Sequence, residues 1–126
     1  MTKLEASPAY WETPASELAK ICNGMGAASW PAWLRAAMSS PAFCWGVSLR
    51  PAADIHDFDY MIGQDEADRV AADKRFGRNM MTLVRTYTAW WNLPLRLLRL
   101  HRTKQCYLAV RWGGQRAFGW GKDKPA

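Results

Sequence analysis

A histidine followed directly by an aspartate, His56-Asp57, with Tyr60 four residues after the histidine, is the part of this 126-residue chain best suited to acid–base chemistry. On a helix the tyrosine stacks over the imidazole. Histidine titrates nearer neutrality than any other side chain, so an imidazole steadied by a carboxylate can take a proton from water and later return it. Two further acids, Asp54 and Asp59, flank the pair. A histidine in such a stretch is accommodated equally well as a satisfied core residue, so the neighbouring elements decide its role.

Those elements read as two helices. Pro51 suits a first helical turn and Gly63 a stop, giving a helix over 51–62. Asp65 opens a second, long helix, with Asp68 three residues on in a position resembling a capping box. Along it Phe76, Met80, Leu83, Val84, Tyr87 and Trp91 recur at helical spacing and mark one buried face. Asp73 falls inside that apolar arc, between Met80 and Val84, whereas Asp68 lies toward the polar margin with Arg75 and Asn79. A carboxylate on a buried face is costly without a partner. The short connection at Gly63-Gln64 favours antiparallel helices and brings Asp73 back alongside His56. An ion pair with Arg69 or Arg78 at the helix edge is the competing arrangement.

The rest of the chain is read more coarsely. Residues 1–12 look irregular, and Thr13-Pro14 opens a short helix to about Cys22. Asn23-Gly24-Met25-Gly26 is a loop whose glycines allow close approach of the backbone to a ligand. A second short helix covers Pro31–Met38, and residues 42–50 carry no clear pattern. Asn92-Leu93-Pro94 interrupts the long helix and starts another that ends before Gly113-Gly114. The expected fold class is all-α: one domain, residues 1–126, built on two antiparallel helices with short flanking helices. It includes a basic helical region at about 85–112 and a tail at 113–126.

Charge is unevenly spread. Residues 85–126 hold nine Lys/Arg against one acid, and the first 84 residues hold eight against ten. The basic third could meet phosphate, of lipid head groups or of nucleic acid. Three cysteines, Cys22, Cys44 and Cys106, suit a reducing compartment better than a disulfide framework, although a Cys22–Cys44 bridge is compatible with the sequence. The N-terminus lacks a basic-then-apolar pattern and no apolar run is long enough to span a bilayer, so neither a signal peptide nor a transmembrane segment is expected. That suits a cytoplasmic product, or a phage or virion-associated protein released by lysis. Eight tryptophans fit a tightly packed core or rings at a lipid–water boundary.

The segment Arg50–Tyr60, with its His56-Asp57-x-x-Tyr60, resembles the catalytic helix of the phospholipase A2 superfamily, most closely the bacterial and fungal branch. Ala72-Asp73-Lys74-Arg75-Phe76 is similar to the Ala-Asp-x-x-Phe run of the second helix in the parvovirus-capsid branch. Cys22-Asn23-Gly24-Met25-Gly26 resembles the glycine-containing calcium loop. The resemblance covers about residues 22–80. It implies a Ca²⁺ ion held by the Asp57 carboxylate and by carbonyls near Cys22, Gly24 and Gly26. It further implies His56 as general base on water, Asp73 on its second nitrogen, Tyr60 positioning Asp73, and the Gly24 N–H helping at the oxyanion of an sn-2 ester. The cysteines that commonly tie the family's loop to its catalytic helix are absent together, replaced by Met25 and Ala53. Thirty residues separate Gly26 from His56, more than the family usually places there, so the Trp30–Cys44 segment must fold back or cover the cleft.

Other features point elsewhere or nowhere. Arg96, Arg99 and Arg102 step every third residue among leucines; they read as a solvated face whose stems cover the core, with docking on anionic lipid as the functional alternative. Trp90-Trp91 and Met80-Met81 read as core, and His101 as a surface residue. A metal-dependent phosphohydrolase would need more histidines than His101 supplies. The remaining alternative is a non-catalytic module that keeps the helical hairpin and binds nucleic acid or a protein partner through the basic third.

Overall fold

The computed structural model describes residues 4–22 and 32–113. All regular structure among them is helical. In chain order the helices are α1 (Pro8–Glu12), α2 (Ala15–Ile21), α3 (Ala32–Ser39), a 3₁₀ turn (Pro41–Cys44), α4 (Arg50–Ile62), α5 (Glu66–Tyr87) and α6 (Leu93–Gly113). The sequence expectations for Gly24, Met25, Gly26, Trp30, Pro31 and the tail beyond Gly113 fall outside the described residues.

Local chemistry sets the ends of the central hairpin. Pro51 sits in the first turn of α4. Gly63 ends that helix in extended backbone at φ −67°, so it stops the helix without needing glycine's left-handed freedom. Asp65 caps α5 by accepting from the Asp68 N–H at 2.9 Å, and the Asp68 carboxylate accepts in turn from the Gln64 N–H at 3.0 Å. Two otherwise orphaned donors are thereby satisfied. Asn92 opens α6, its side chain accepting from the Leu95 N–H and its carbonyl from the Arg96 N–H.

α4 packs on α5, and α5 on α6. The main core joins Ala52 and Ala53 of α4 to Phe76, Met80, Leu83 and Val84 of α5, closed by Val47, Leu49, Cys44 and Cys106. The two alanines present little bulk where α4 packs on α5, one turn before His56. All three cysteines are free thiols, which removes the Cys22–Cys44 bridge.

Several expectations are corrected. Residues 1–12 are not wholly irregular: they include α1, whose Tyr10 meets Phe58 edge-on at 5.5 Å. Asn79 is buried rather than marginal. Its side chain clamps the backbone of Glu5 in both directions, at 2.7 and 2.8 Å. Tyr87, Trp90 and Trp91 are exposed, because α5 ends at Tyr87 and the tryptophans occupy the turn after it. The expected solvated stripe is largely internal. Arg99 is buried, donating to Trp45 O at 3.1 and 2.8 Å, to Tyr87 O at 3.1 Å and to Thr88 Oγ1 at 2.8 Å. Arg102 donates to Phe43 O at 2.9 Å and lies over the Phe43 ring.

The carbonyls that Arg99 serves stand where helices end: Trp45 follows the 3₁₀ turn and Tyr87 is the last residue of α5. Trp45, at φ 51°, and Gly46, at φ 102°, make a left-handed corner after the 3₁₀ turn. A Cβ on Gly46 would stand 3.1 Å from the Arg99 guanidinium. The described part of the 30–44 segment is thus anchored on α6 through Phe43, Cys44 and Trp45.

Candidate active site

α4 and α5 cross so that two halves of the site, 17 residues apart in sequence, meet side by side. His56 Nε2 lies 2.8 Å from Asp73 Oδ1. A carboxylate only accepts, so Nε2 carries the proton, and in the neutral ring Nδ1 is then the nitrogen with the lone pair. The Tyr60 hydroxyl donates to the same Asp73 oxygen at 2.6 Å. Phe76 stacks on the imidazole with centroids 4.6 Å apart, and the Tyr60 ring lies 4.1 Å away at 45°. The ring therefore has its plane fixed by aromatics and one nitrogen fixed by Asp73.

Asp73 has no exposed side-chain surface, and its second oxygen takes a partner the sequence did not suggest. Arg111, in the last turn of α6, donates to Oδ2 at 2.7 Å. Arg69 is 3.7 Å from the same oxygen. Arg69 also makes a two-pronged contact with Glu66 at 2.8 and 3.1 Å and reaches the terminal carbonyls of α6 at Val110 and Arg111. Burial pushes the Asp73 carboxyl up, but hydrogen bonds from His56, Tyr60 and Arg111 outweigh it and hold it below its usual range. Burial, then the bond to Asp73, pushes the Tyr60 phenol well up, so it remains a neutral donor.

The competing partners for Asp73 divide. Arg69 does stand near it, but as an addition to His56; Arg78 instead pairs with Glu5 at 2.8 and 2.9 Å. Asp59, also buried, is held by Arg75 at 3.1 and 3.3 Å.

Asp57 is half-buried on α4. Cys22, the last described residue before the glycine loop, donates from its thiol to the Asp54 carbonyl at 3.3 Å, so the chain enters the loop beside α4. Burial, then the charges of Asp54 and Asp57, push the Cys22 thiol up to about 12, which keeps it protonated. Asp54 Oδ1 is buried without a hydrogen-bond partner, and Arg50 Nε stands 3.8 Å from it. That oxygen lacks a hydrogen bond but already faces the positive charge of Arg50, one helical turn before Asp57. Among the described residues no group of three or more His, Cys, Asp or Glu side chains is placed to hold a metal ion. Side chains alone therefore do not form a complete site there, and loop carbonyls would have to supply the other donors.

Sequence reasoning missed Arg111 and the stacking role of Phe76. The missing partner of a buried acid had a signal in the cost of burying it, but nothing in the spacing pointed 38 residues downstream.

No family model, curated protein or solved structure matches the chain.

Proposed function

We propose that the chain is a phospholipase A2-like, calcium-dependent hydrolase acting on the sn-2 ester of glycerophospholipids. The observation that carries this reading is the contact of His56 Nε2 with Asp73 Oδ1 across two antiparallel helices, with Tyr60 on the same oxygen. The motif resemblance and this geometry point the same way.

In this reading His56 Nδ1 takes a proton from a water as it attacks the ester carbonyl. The Nε2 proton stays donated to Asp73, whose charge stabilises the imidazolium. Tyr60 and Arg111 keep the carboxylate from turning, while Phe76 keeps the ring in plane. The proton on Nδ1 then passes to the departing alcohol oxygen, and no bond forms between enzyme and acyl group. Asp57 and the carbonyls of Cys22, Gly24 and Gly26 would hold Ca²⁺, which when bound supplies positive charge at the reacting carbonyl. The substrate implies contact with a phospholipid surface without spanning it. No helix among the described residues is long and apolar enough to cross a membrane.

The test uses vesicles with a labelled sn-2 chain. Wild type should release fatty acid with Ca²⁺ and stop with a chelator, and His56→Ala and Asp73→Asn should release none while staying folded. A wild type inert at high concentration would overturn the reading. The alternative, a basic module for nucleic acid or a protein partner, loses support from Arg99 and Arg102, whose guanidinium groups are spent on the chain's own carbonyls.

A further inference from the structure

α6 carries apolar side chains on its outer side as well as its inner one. Its buried residues are Arg99, Thr103 and Cys106, and Arg96 and Arg102 are half-buried. Leu100, Tyr107 and Val110 pack against the core, but a second set of large apolar side chains faces the other way: Leu93, Leu97, Leu98 and Trp112 are 59%, 65%, 46% and 81% exposed. Trp90 and Trp91, in the turn that leads into the helix, are 79% and 68% exposed. A run of leucines on the outer side of a surface helix, with tryptophan at both ends, is the reverse of what water selects.

The charge around this face is one-sided. From Lys74 through Lys122 the sequence contains no Asp or Glu, so neither α6 nor its preceding turn carries an acid; Arg85 and Lys104 are exposed cations beside and on α6, whereas Arg111 is already paired with Asp73 and Glu66. Tryptophan rings favour the head-group level of a bilayer, and leucines between them favour the acyl boundary. Cations without intervening acids favour anionic head groups. A second copy of the chain would set the exposed cations of α6 and its turn, elements without acids of their own, against their like, which disfavours self-association there.

The geometry points to the outward face of α6, with the Trp90-Trp91 turn, as a docking surface for an anionic phospholipid bilayer, on which the helix lies flat. This deepens the hydrolase reading by naming how the protein meets its substrate, and it rests on that reading only for its purpose. The face and the site share the last turn of α6: Trp112 points out of the protein, and Arg111 holds Asp73.

The experiment measures sedimentation of the full chain with vesicles of phosphatidylcholine alone or mixed with phosphatidylglycerol, with chelator present and His56→Ala as the background. The expected result is binding to the mixed vesicles that weakens with salt, and at least a roughly tenfold loss for Leu97→Glu and for Trp90→Ser/Trp91→Ser. Hydrolysis of a short-chain, monomeric ester by the otherwise wild-type Leu97→Glu protein should be unchanged. Failure of the His56→Ala protein to sediment, or undiminished binding by both variants, would overturn the proposal. So would a stable dimer that Leu97→Glu dissociates, since the face would then belong to a second copy. Binding by a wild type that hydrolyses nothing would leave the docking surface standing and remove the hydrolase.

Discussion

The α4–α5 hairpin and α6 bury their polar groups in opposite ways. In the hairpin the apolar stripe faces inward, and three of its buried polar groups, His56, Tyr60 and Asp73, bond to one another. In α6 the inward side carries Arg99 among Leu100, Cys106, Tyr107 and Val110, and a second set of apolar side chains faces outward. One helix pair is held by packing around a small polar centre, whereas the other element is held by guanidinium groups that answer carbonyls at chain corners. Both are stable because every buried polar group needs a partner, and a helix can supply either the acceptor or the donor.

The contrast is broken most severely at the dyad. His56→Ala should lower ester hydrolysis by about 10⁴-fold, as expected for loss of a positioned general base, with the helical circular-dichroism spectrum unchanged. Hydrolysis that survives His56→Ala would remove the hairpin's claim to be a reaction centre. The largest effect on stability belongs to α6. Arg99→Met leaves the Trp45 and Tyr87 carbonyls without their donor and should cost roughly 3 kcal/mol, a fall in melting temperature on the order of 10 °C. A Leu83→Ala variant, opening a cavity in the hairpin core, should cost a comparable ~3 kcal/mol by a different route.

Arg111 links the two regions, and Arg111→Gln should destabilise by about 2 kcal/mol at neutral pH. The sign with pH follows from the lowered Asp73 carboxyl. Its stabilising contribution is present above the ordinary carboxylate range and is lost as pH falls through the depressed folded value. Urea titrations should therefore find wild type and Arg111→Gln far apart at neutral pH and converging in strong acid. A gap independent of pH would mean that Arg111 acts by packing. The smallest effect is expected at Leu97: replacement by Gln should change stability by less than about 0.5 kcal/mol, since that side chain already meets water. A large loss there would show that the outward face of α6 is part of the folded core.

How much could be read in advance follows the same division. The bounds of α4 and the start of α5 come from Pro51, Gly63 and the Asp65–Asp68 cap, all local signals, and each appears in place. Asp73 was readable because it interrupts an apolar arc, and Tyr60 because helical spacing sets it beside His56. Trp90 and Trp91 were misplaced because a hydrophobic pattern says which side chains are apolar, not where the helix carrying them ends. Arg99 was misplaced for a related reason: an arginine among leucines looks like a water-facing residue until the carbonyls of Trp45 and Tyr87 are brought to it.

The amino-acid sequence alone determined the all-helical class, the hairpin and that Asp73 needs a partner, with His56 and an edge arginine both open, because helical periodicity and a short connection act over neighbouring residues. Only the tertiary structure decided that Arg111 completes the Asp73 environment, that Phe76 stacks on His56, and that α6 turns its arginines inward. Each of those depends on groups far apart in the chain that find a hydrogen-bond or packing partner only once the helices are assembled.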